Sequence, residues 1–199
     1  VDHYVEVFAD VACPFTHVGL RRFVERRAEA DRTDVKLWVR SWPLEIVNGA
    51  PLDPHFISDE VDDIRSQVAS SMFAGFRETS FPGSSIPALA LAAAAYRRSL
   101  TVGEEVSLVL RDLLFERGVD IADGGVLDEV ARNHDVGPWD PSPAAVLAEH
   151  DEGVRRGVIG SPHFFTPAGG YFCPALDVSR DARGHLRVTA DTAAFDSFL

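Results

Sequence analysis

The stretch ADVACPFTHVGL, residues 9–20, decides how the rest of the chain is read. It stands where the apolar run Tyr4–Ala9, broken only by Glu6, gives way to helical spacing at Phe15, Val18, Leu20, Phe23, Val24 and Ala28. Cys13 therefore falls at a strand-to-helix seam, and Pro14 takes the first helical turn, where its missing N–H would have had no partner anyway. Unpaired backbone N–H groups and the positive end of the helix dipole meet at that seam. Both favour thiolate over thiol, so Cys13 is expected to be more acidic than a free cysteine and nucleophilic at neutral pH. Where a Cys-x-x-Cys pair would close, the chain has Thr16, whose hydroxyl can hydrogen-bond a thiolate. His17, one turn along, either adds positive charge and relays a proton or is a solvated helix-face residue. No further ligands accompany a Cys13–His17 metal pair, and no metal is expected.

Outward from this turn, Val35, Leu37 and Val39 alternate with polar or bulky neighbours, and Trp42-Pro43 closes a second strand. Strand, helix and strand within about 40 residues make a βαβ unit with a right-handed crossover. Residues 50–87 are broken by Pro51, Pro54, Pro82 and Pro87, which predicts short helices and loops. From Ala88 helical signals dominate. Thr101 and Glu104 form a candidate capping box before Val106, Val109, Leu110, Leu113 and Leu114, with Gly118 as a stop. Asp123 can cap a short helix, and Ser142-Pro143 reads as the N-cap and first residue of another that ends at Gly157. Strand character returns at His163–Thr166 and Tyr171–Cys173, across a Pro-Ala-Gly-Gly turn that signals a hairpin. Leu186–Thr189 is expected to add an edge strand, and Thr192–Leu199 an amphipathic helix.

The second chemical signal is GVIGSPHFF, residues 157–165. A glycine, a small residue and a proline entering a strand is where a thioredoxin fold carries its cis-proline. With Ser161–Pro162 in cis, the Ser161 backbone would face the sulfur and pair, strand-like, with a bound thiol peptide. The layout is thus read as α/β, a thioredoxin fold with an inserted all-helical domain. Residues 1–48 and 157–199 form the discontinuous thioredoxin-fold domain, and residues 49–156 the insertion.

The chain resembles the DsbA-like branch of the thioredoxin superfamily, which also holds 2-hydroxychromene-2-carboxylate isomerases and kappa-class glutathione transferases. FADVACPFTHVGLRRF is similar to that branch's strand–motif–helix opening, and GVIGSPHFF to its cis-proline loop. LLFERGVDIADGGVLDEVA resembles a segment of the inserted domain where a GxDIxDxxVL pattern recurs. The resemblance implies that Cys13 takes the place of the oxidoreductases' nucleophilic cysteine, or of the isomerases' and transferases' catalytic serine. It places Pro14, Phe15, Ser161 and Pro162 around a thiol partner, with Cys13, Thr16 and His17 as the catalytic set. It also implies a low-molecular-weight thiol, glutathione or an equivalent, as co-substrate rather than a tightly bound cofactor.

The chain departs from the dithiol pattern because Thr16 cannot resolve a mixed disulfide. Cys173 is expected one strand beyond the Pro162 strand. Two strand spacings come to roughly 9–10 Å, beyond the ~7 Å between Cα atoms that a disulfide tolerates. Cys173 is therefore read as inert core. What remains is monothiol exchange: Cys13 forms a mixed disulfide, and a second small thiol resolves it. Two other readings stay open. One is a thiol-dependent isomerase or transferase, in which Cys13 and Thr16 polarise a bound thiol. The other is a non-catalytic binding module. Cys13 as a small buried hydrophobe, Thr16 as an ordinary polar helix residue and Pro162 as an ordinary loop proline are the plain alternatives. His163 points either into the site or onto the sheet. Trp42-Pro43-Leu44, Phe73, Phe76 and Phe81 are read chiefly as core between the two parts. Arg77, Arg97 and Arg98 are candidates to bind a thiol cofactor's carboxylates, with nothing to choose among them.

Composition sets the outer limits. The formal charge is −12, from 31 acidic and 19 basic residues, which repels phosphate backbones and argues against nucleic-acid binding. No apolar run reaches the roughly 18 residues of a membrane span, and no basic n-region precedes the first strand, so neither membrane insertion nor a secretory signal is expected. Two cysteines are too few for a disulfide scaffold and fit a reducing cytoplasm. A homodimer is compatible with this reading.

Overall fold

A computed structural model describes residues 3–199. The apolar run forms β1 (Tyr4–Ala9), buried from Val5 onward, and the seam opens α1 (Pro14–Glu29). β2 (Lys36–Ser41) returns parallel to β1, in register from Tyr4↔Lys36 to Ala9↔Ser41, completing the expected βαβ unit. Six α-helices and one 3-10 turn (Glu78–Ser80) follow before the next strand. The α-helices are α2 (Leu44–Asn48), α3 (Pro54–Gln67), α4 (Ile86–Arg98), α5 (Leu100–Phe115), α6 (Gly124–Asn133) and α7 (Ala144–Arg155). β3 (His163–Thr166) then runs antiparallel to β1, and β4 (Gly169–Phe172) folds back on β3, giving the sheet order β2-β1-β3-β4. The Cys173 segment therefore lies beyond the Pro162 strand, as the strand spacing argument expects.

Side chains alternate across β3. Phe164 packs with Phe23 of α1 and with Phe195, while Phe165 meets Phe8 on the opposite face. Helices cover both faces. On the Phe8 face α7 approaches so closely that a Cβ on Gly153 would lie 2.8 Å from the Trp42 ring. The outer edge of β2 is sealed by side chains from the helices rather than by another strand. Leu37 N donates to Glu104 Oε2 (2.5 Å), Tyr96 Oη donates to Leu37 O (3.0 Å), and Ser41 N donates to Glu149 Oε2 (2.8 Å). An open edge would invite pairing with another chain, so these groups close a hazard as well as satisfy the backbone. One apolar cluster runs without a break from Val7 and Phe23 to Leu110 and Phe115.

Local departures from expectation have local causes. Ser99, not Thr101, caps α5, accepting from Val102 N, because Glu104 is drawn inward to pair with Arg27. Asp123 caps α6 as expected. Pro143 occupies the cap position of α7 without a side-chain cap, because the Ser142 hydroxyl donates to Asp140 instead. The C-terminal amphipathic helix is a 3-10 turn, Thr192–Ser197, capped by Asp191 and buried through Phe195. Leu186–Ala190 forms β6, but it pairs with β5 (Leu176–Arg180) in a separate hairpin. β5 escapes the hydrophobic pattern because only Leu176 in it is buried. Among the described residues no helix is long and apolar enough to cross a membrane.

Candidate active site

The seam brings Cys13 and the Ser161–Pro162 loop together. Cys13 is the N-cap of α1 in extended geometry (φ −85°, ψ 117°), Pro14 follows as the first helical residue, and the Ser161–Pro162 peptide is cis. Cys13 Sγ donates to Ser161 O at 3.4 Å. Thr16 Oγ1 and Ser161 Oγ are 2.8 Å apart, and Ser161 Oγ also accepts from Asp10 N at 2.9 Å. Ser161 is thus fastened from three directions, to the strand end, to the sulfur and to the first turn of α1. Pro162 packs on α1 beside Gly19, and its carbonyl accepts from Cys173 N at 2.9 Å. Phe15 is half-buried at the rim of this cluster.

The expectation of an acidic thiol does not survive this geometry. Cys13 is 3% exposed, and burial pushes its thiol up from the ordinary value. Hydrogen bonding from Thr16 and from the Ser161 side chain acts in the direction the sequence led us to expect, but burial outweighs it. The bond to Ser161 O exists only for the protonated sulfur and adds to the bias toward thiol. The cavity touching this turn, at Ala12, has a volume of only ≈ 10 Å³, lined also by Glu45, Phe81 and Ser85. Burial pushes the second sulfur, Cys173, up to about 12. Both cysteines are free.

His17 does not serve the sulfur. It is 1% exposed, held between Phe73 and Phe115, with Nε2 at 2.7 Å from Glu116 Oε1. Burial lowers its pKa, so the ring is neutral, Nε2–H donates to Glu116, and buried Nδ1 has no partner. The hydrogen bond that His17 makes thus ties α1 to Glu116, and none runs from its ring to the sulfur. Burial pushes the Glu116 carboxyl up, but His17 and the N–H groups of Phe73 and Ala74 outweigh it and leave it at about 2. Both shifts have one sign: the unfolded chain takes up protons first. Stability is expected to fall as pH drops below 6.5, where unfolded histidine charges, and again below 4.5, where unfolded glutamate protonates. Thermal unfolding of wild type and Glu116→Gln across pH 3–8 checks this. The loss of stability below pH 4.5 is smaller in the variant, since Glu116 no longer contributes to it, and a loss equal to that of wild type would contradict the assignment.

Other candidates are placed elsewhere. His163 lies on the Phe165 face, opposite α1, and its Nδ1 accepts from Ile159 N. Arg77 donates to the carbonyls of Arg117 and Gly118, and Arg97 lines a cavity of ≈ 440 Å³ with Tyr4, Trp38 and Tyr96. Arg98, at the C-terminal end of α4, also lies apart from the hydrogen bonds around Cys13. Phe73, Phe81 and Trp42 are buried core, and Phe76 stacks on Phe115.

Two residues of the site went unread in the sequence. Asp10, fully buried, accepts from Ala12 N (2.8 Å), Leu44 N (2.6 Å) and the Ser85 hydroxyl (3.1 Å), and so ties the cysteine turn to α2 and α4. Arg111, on α5, reaches the Asp10 carbonyl at 3.2 Å. An acid ending an apolar strand and an arginine inside the apolar stripe of α5 were the available signals.

The architecture is that of the DsbA-like thioredoxin fold carrying a helical insertion. Solved structures share it over 84–98% of the chain. One is described as a cytosolic disulfide reductase, DsbM, from Pseudomonas aeruginosa, with TM-score 0.61 and 17% identity, over 98% of this chain and 94% of that one. A probable DsbA oxidoreductase from Streptomyces coelicolor gives TM-score 0.63 and 22% identity over 84% and 82%. A 2-hydroxychromene-2-carboxylate isomerase gives 0.60 and 12% over 85% and 88%. The Pseudomonas reductase also appears in a structure with GSH, at TM-score 0.62 and 16% identity, over 98% and 95%. No family model and no curated protein sequence matches the chain.

Proposed function

We propose that the protein is a cytoplasmic thiol–disulfide oxidoreductase that works by a monothiol mechanism with Cys13 as nucleophile. The carrying observation is the convergence of Cys13, Thr16 and Ser161 within hydrogen-bond reach at the start of α1. A neighbour described as a cytosolic disulfide reductase, solved also with GSH, supports a small thiol as co-substrate. Cys13 gives its proton to water, and its thiolate attacks one sulfur of a small disulfide R–S–S–R. The S–S bond breaks, Cys13–S–S–R forms, and RS⁻ leaves and is reprotonated. The thiolate of a second thiol, R′SH, attacks the adduct's outer sulfur, giving R–S–S–R′ and restoring Cys13. Thr16 supplies a hydroxyl toward the thiolate, and Ser161, Pro162, Pro14 and Phe15 position the incoming group. The division into a discontinuous thioredoxin-fold domain, 1–48 with 157–199, and an inserted domain, 49–156, belongs to the same proposal.

Reduction of glutathione disulfide coupled to excess thiol tests it. The rate is expected to be first order in the second thiol while that thiol is limiting, to keep rising beyond pH 9.0 once the thiol is in excess and attack by Cys13 limits, because burial raises Cys13, and to vanish in Cys13→Ser. Undiminished turnover in Cys13→Ser would refute the mechanism. The burial of Cys13 favours a second reading, a binding module that keeps the fold without exchange. That reading expects no turnover in the wild-type protein at any thiol concentration. Conversion of an electrophile by bound thiol, with no disulfide consumed, would instead mark the isomerase or transferase reading.

A further inference from the structure

Arg111 is the largest fully buried side chain among the described residues. Its Nη1 donates to Ser107 O (2.8 Å) and Ser107 Oγ (2.7 Å), its Nη2 donates to Asp10 O (3.2 Å), and its Nε–H has no acceptor. Every one of these acceptors is neutral. A guanidinium stays charged, and a buried charge without a counter-ion is disfavoured. Asp10 is the nearest carboxylate in the chain of hydrogen bonds, yet both its oxygens are turned to Ala12 N, Leu44 N and the Ser85 hydroxyl. It shows the guanidinium only its main-chain carbonyl. The fold thus holds a buried cation against the carbonyl of Asp10, three residues before Cys13, with no hydrogen bond to an anionic side chain.

The titratable groups facing this cation come from three elements. Asp10 precedes α1, Cys13 and His17 belong to its first turn, and Tyr96 comes from α4. Tyr96 donates to Leu37 O, and burial pushes its phenol above the ordinary range. His17 carries no negative charge in any state. Cys13 is the group that gains a negative charge during turnover. Cys173 also lies within electrostatic reach of Cys13, as a neutral thiol.

We propose that Arg111 is a positioning residue for the Cys13 reaction, a cation supplied by α5 that balances the charge of the Cys13 thiolate and, through the Asp10 carbonyl, fixes the turn that carries it. This rests on the reading of Cys13 as nucleophile. It gives the inserted helices a part in the chemistry: α5 delivers to the thioredoxin-fold turn a charge that the turn itself lacks. The local balance then alternates. With Cys13 as thiol, Arg111 and Asp10 offset one another through the turn. With Cys13 as thiolate, the cation is shared between two anions, and Asp10, already raised by burial, is the group that opposes ionisation.

The pH dependence of Cys13 alkylation by iodoacetamide, followed by peptide mass mapping on the folded full chain, tests this in wild type, Arg111→Gln and Arg111→Lys. Gln removes the charge and shortens the side chain to about the reach of Nε, short of the Nη atoms that bond Ser107 and Asp10. Its midpoint is expected to rise by about one pH unit or more, about a tenfold slower rate at a fixed pH below it. Lys keeps a charge at neutral pH without the planar fork, and its alkylation rate at pH 7 is expected within about threefold of wild type. A folded Arg111→Gln protein with the wild-type midpoint overturns the proposal, as does a rate loss at pH 7 in Lys equal to that in Gln. If Gln does not fold, the Lys variant decides on the same criterion, a loss of about tenfold at pH 7 overturning it. A wild-type Cys13 that alkylates normally yet forms no mixed disulfide overturns the nucleophile reading and this proposal together. An unchanged midpoint in a competent enzyme removes only the role of Arg111.

Discussion

A Thr16→Cys variant closes a disulfide with Cys13 and no longer needs an external thiol to release its adduct. The first turn of α1 places residues 13 and 16 on one side, and the Thr16 hydroxyl already meets the same Ser161 side chain that organises the Cys13 site. A sulfur three residues along at a helix start falls within the Cα separation, below ~7 Å, that a disulfide accepts. Resolution then becomes intramolecular, and well-oriented intramolecular reactions run at effective concentrations far above any free thiol. The adduct's lifetime is expected to shorten by at least ~10³-fold relative to resolution by millimolar thiol. The measurement is stopped-flow decay of a chromogenic mixed disulfide on Cys13, with non-reducing mass spectrometry to identify the bridge. An adduct that persists as long as in wild type would show that residue 16 does not face the sulfur. Loss of the Thr16–Ser161 bond is a minor cost beside that gain, since one neutral hydrogen bond contributes about 1 kcal/mol.

The second large effect concerns stability. Glu104→Ala is expected to lose about 3–5 kcal/mol of folding free energy, the range for breaking a buried ion pair by removing one partner. Glu104 and Arg27 are both buried. Arg27 Nη1 and Nη2 meet the two carboxylate oxygens at 2.7 and 2.6 Å. The same carboxylate accepts from Leu37 N, and Arg27 Nη1 also donates to Val35 O. One side chain thus joins α5, α1 and the outer edge of β2. Its removal strands a guanidinium and a backbone N–H in the core. Urea unfolding midpoints check the figure. A loss below about 1 kcal/mol, the level of an exposed pair, would contradict the burial of this bridge. Replacing both partners with apolar residues should cost less than Glu104→Ala alone, since it leaves no uncompensated charge.

Much of the frame was legible because it rests on short-range pattern. The β1 run, the helical spacing after Cys13, the alternation at Val35–Val39 and the small-residue–proline entry to β3 each report a period or a turn requirement directly. Sheet order followed from the βαβ rule and the hairpin, and with it the expectation that Cys173 lies beyond the Pro162 strand. What escaped depends on tertiary reach. Burial of Cys13 is a property of what packs over the turn: the hydrogen bonds from Thr16 and Ser161 lower the thiol as expected, and burial, which raises it, outweighs them. His17 looked like a neighbour of the sulfur because i and i+4 share a helix face. The side chain instead turns to Glu116, 99 positions away in the chain. Glu104 fitted a capping box by spacing alone, and the ion pair with Arg27 spans 77 positions. Asp10 and Arg111 are each unremarkable in sequence, and only their meeting around the turn gives them a place in the site.

Incubation of the folded protein with glutathione disulfide, followed by peptide mass mapping, tests most directly whether Cys13 is the reacting sulfur. One glutathione adduct is expected on Cys13, removed by a second thiol and absent in Cys13→Ser, with Cys173 unmodified. An adduct on Cys173 with Cys13 untouched, or an unmodified protein after prolonged exposure at alkaline pH, would contradict it.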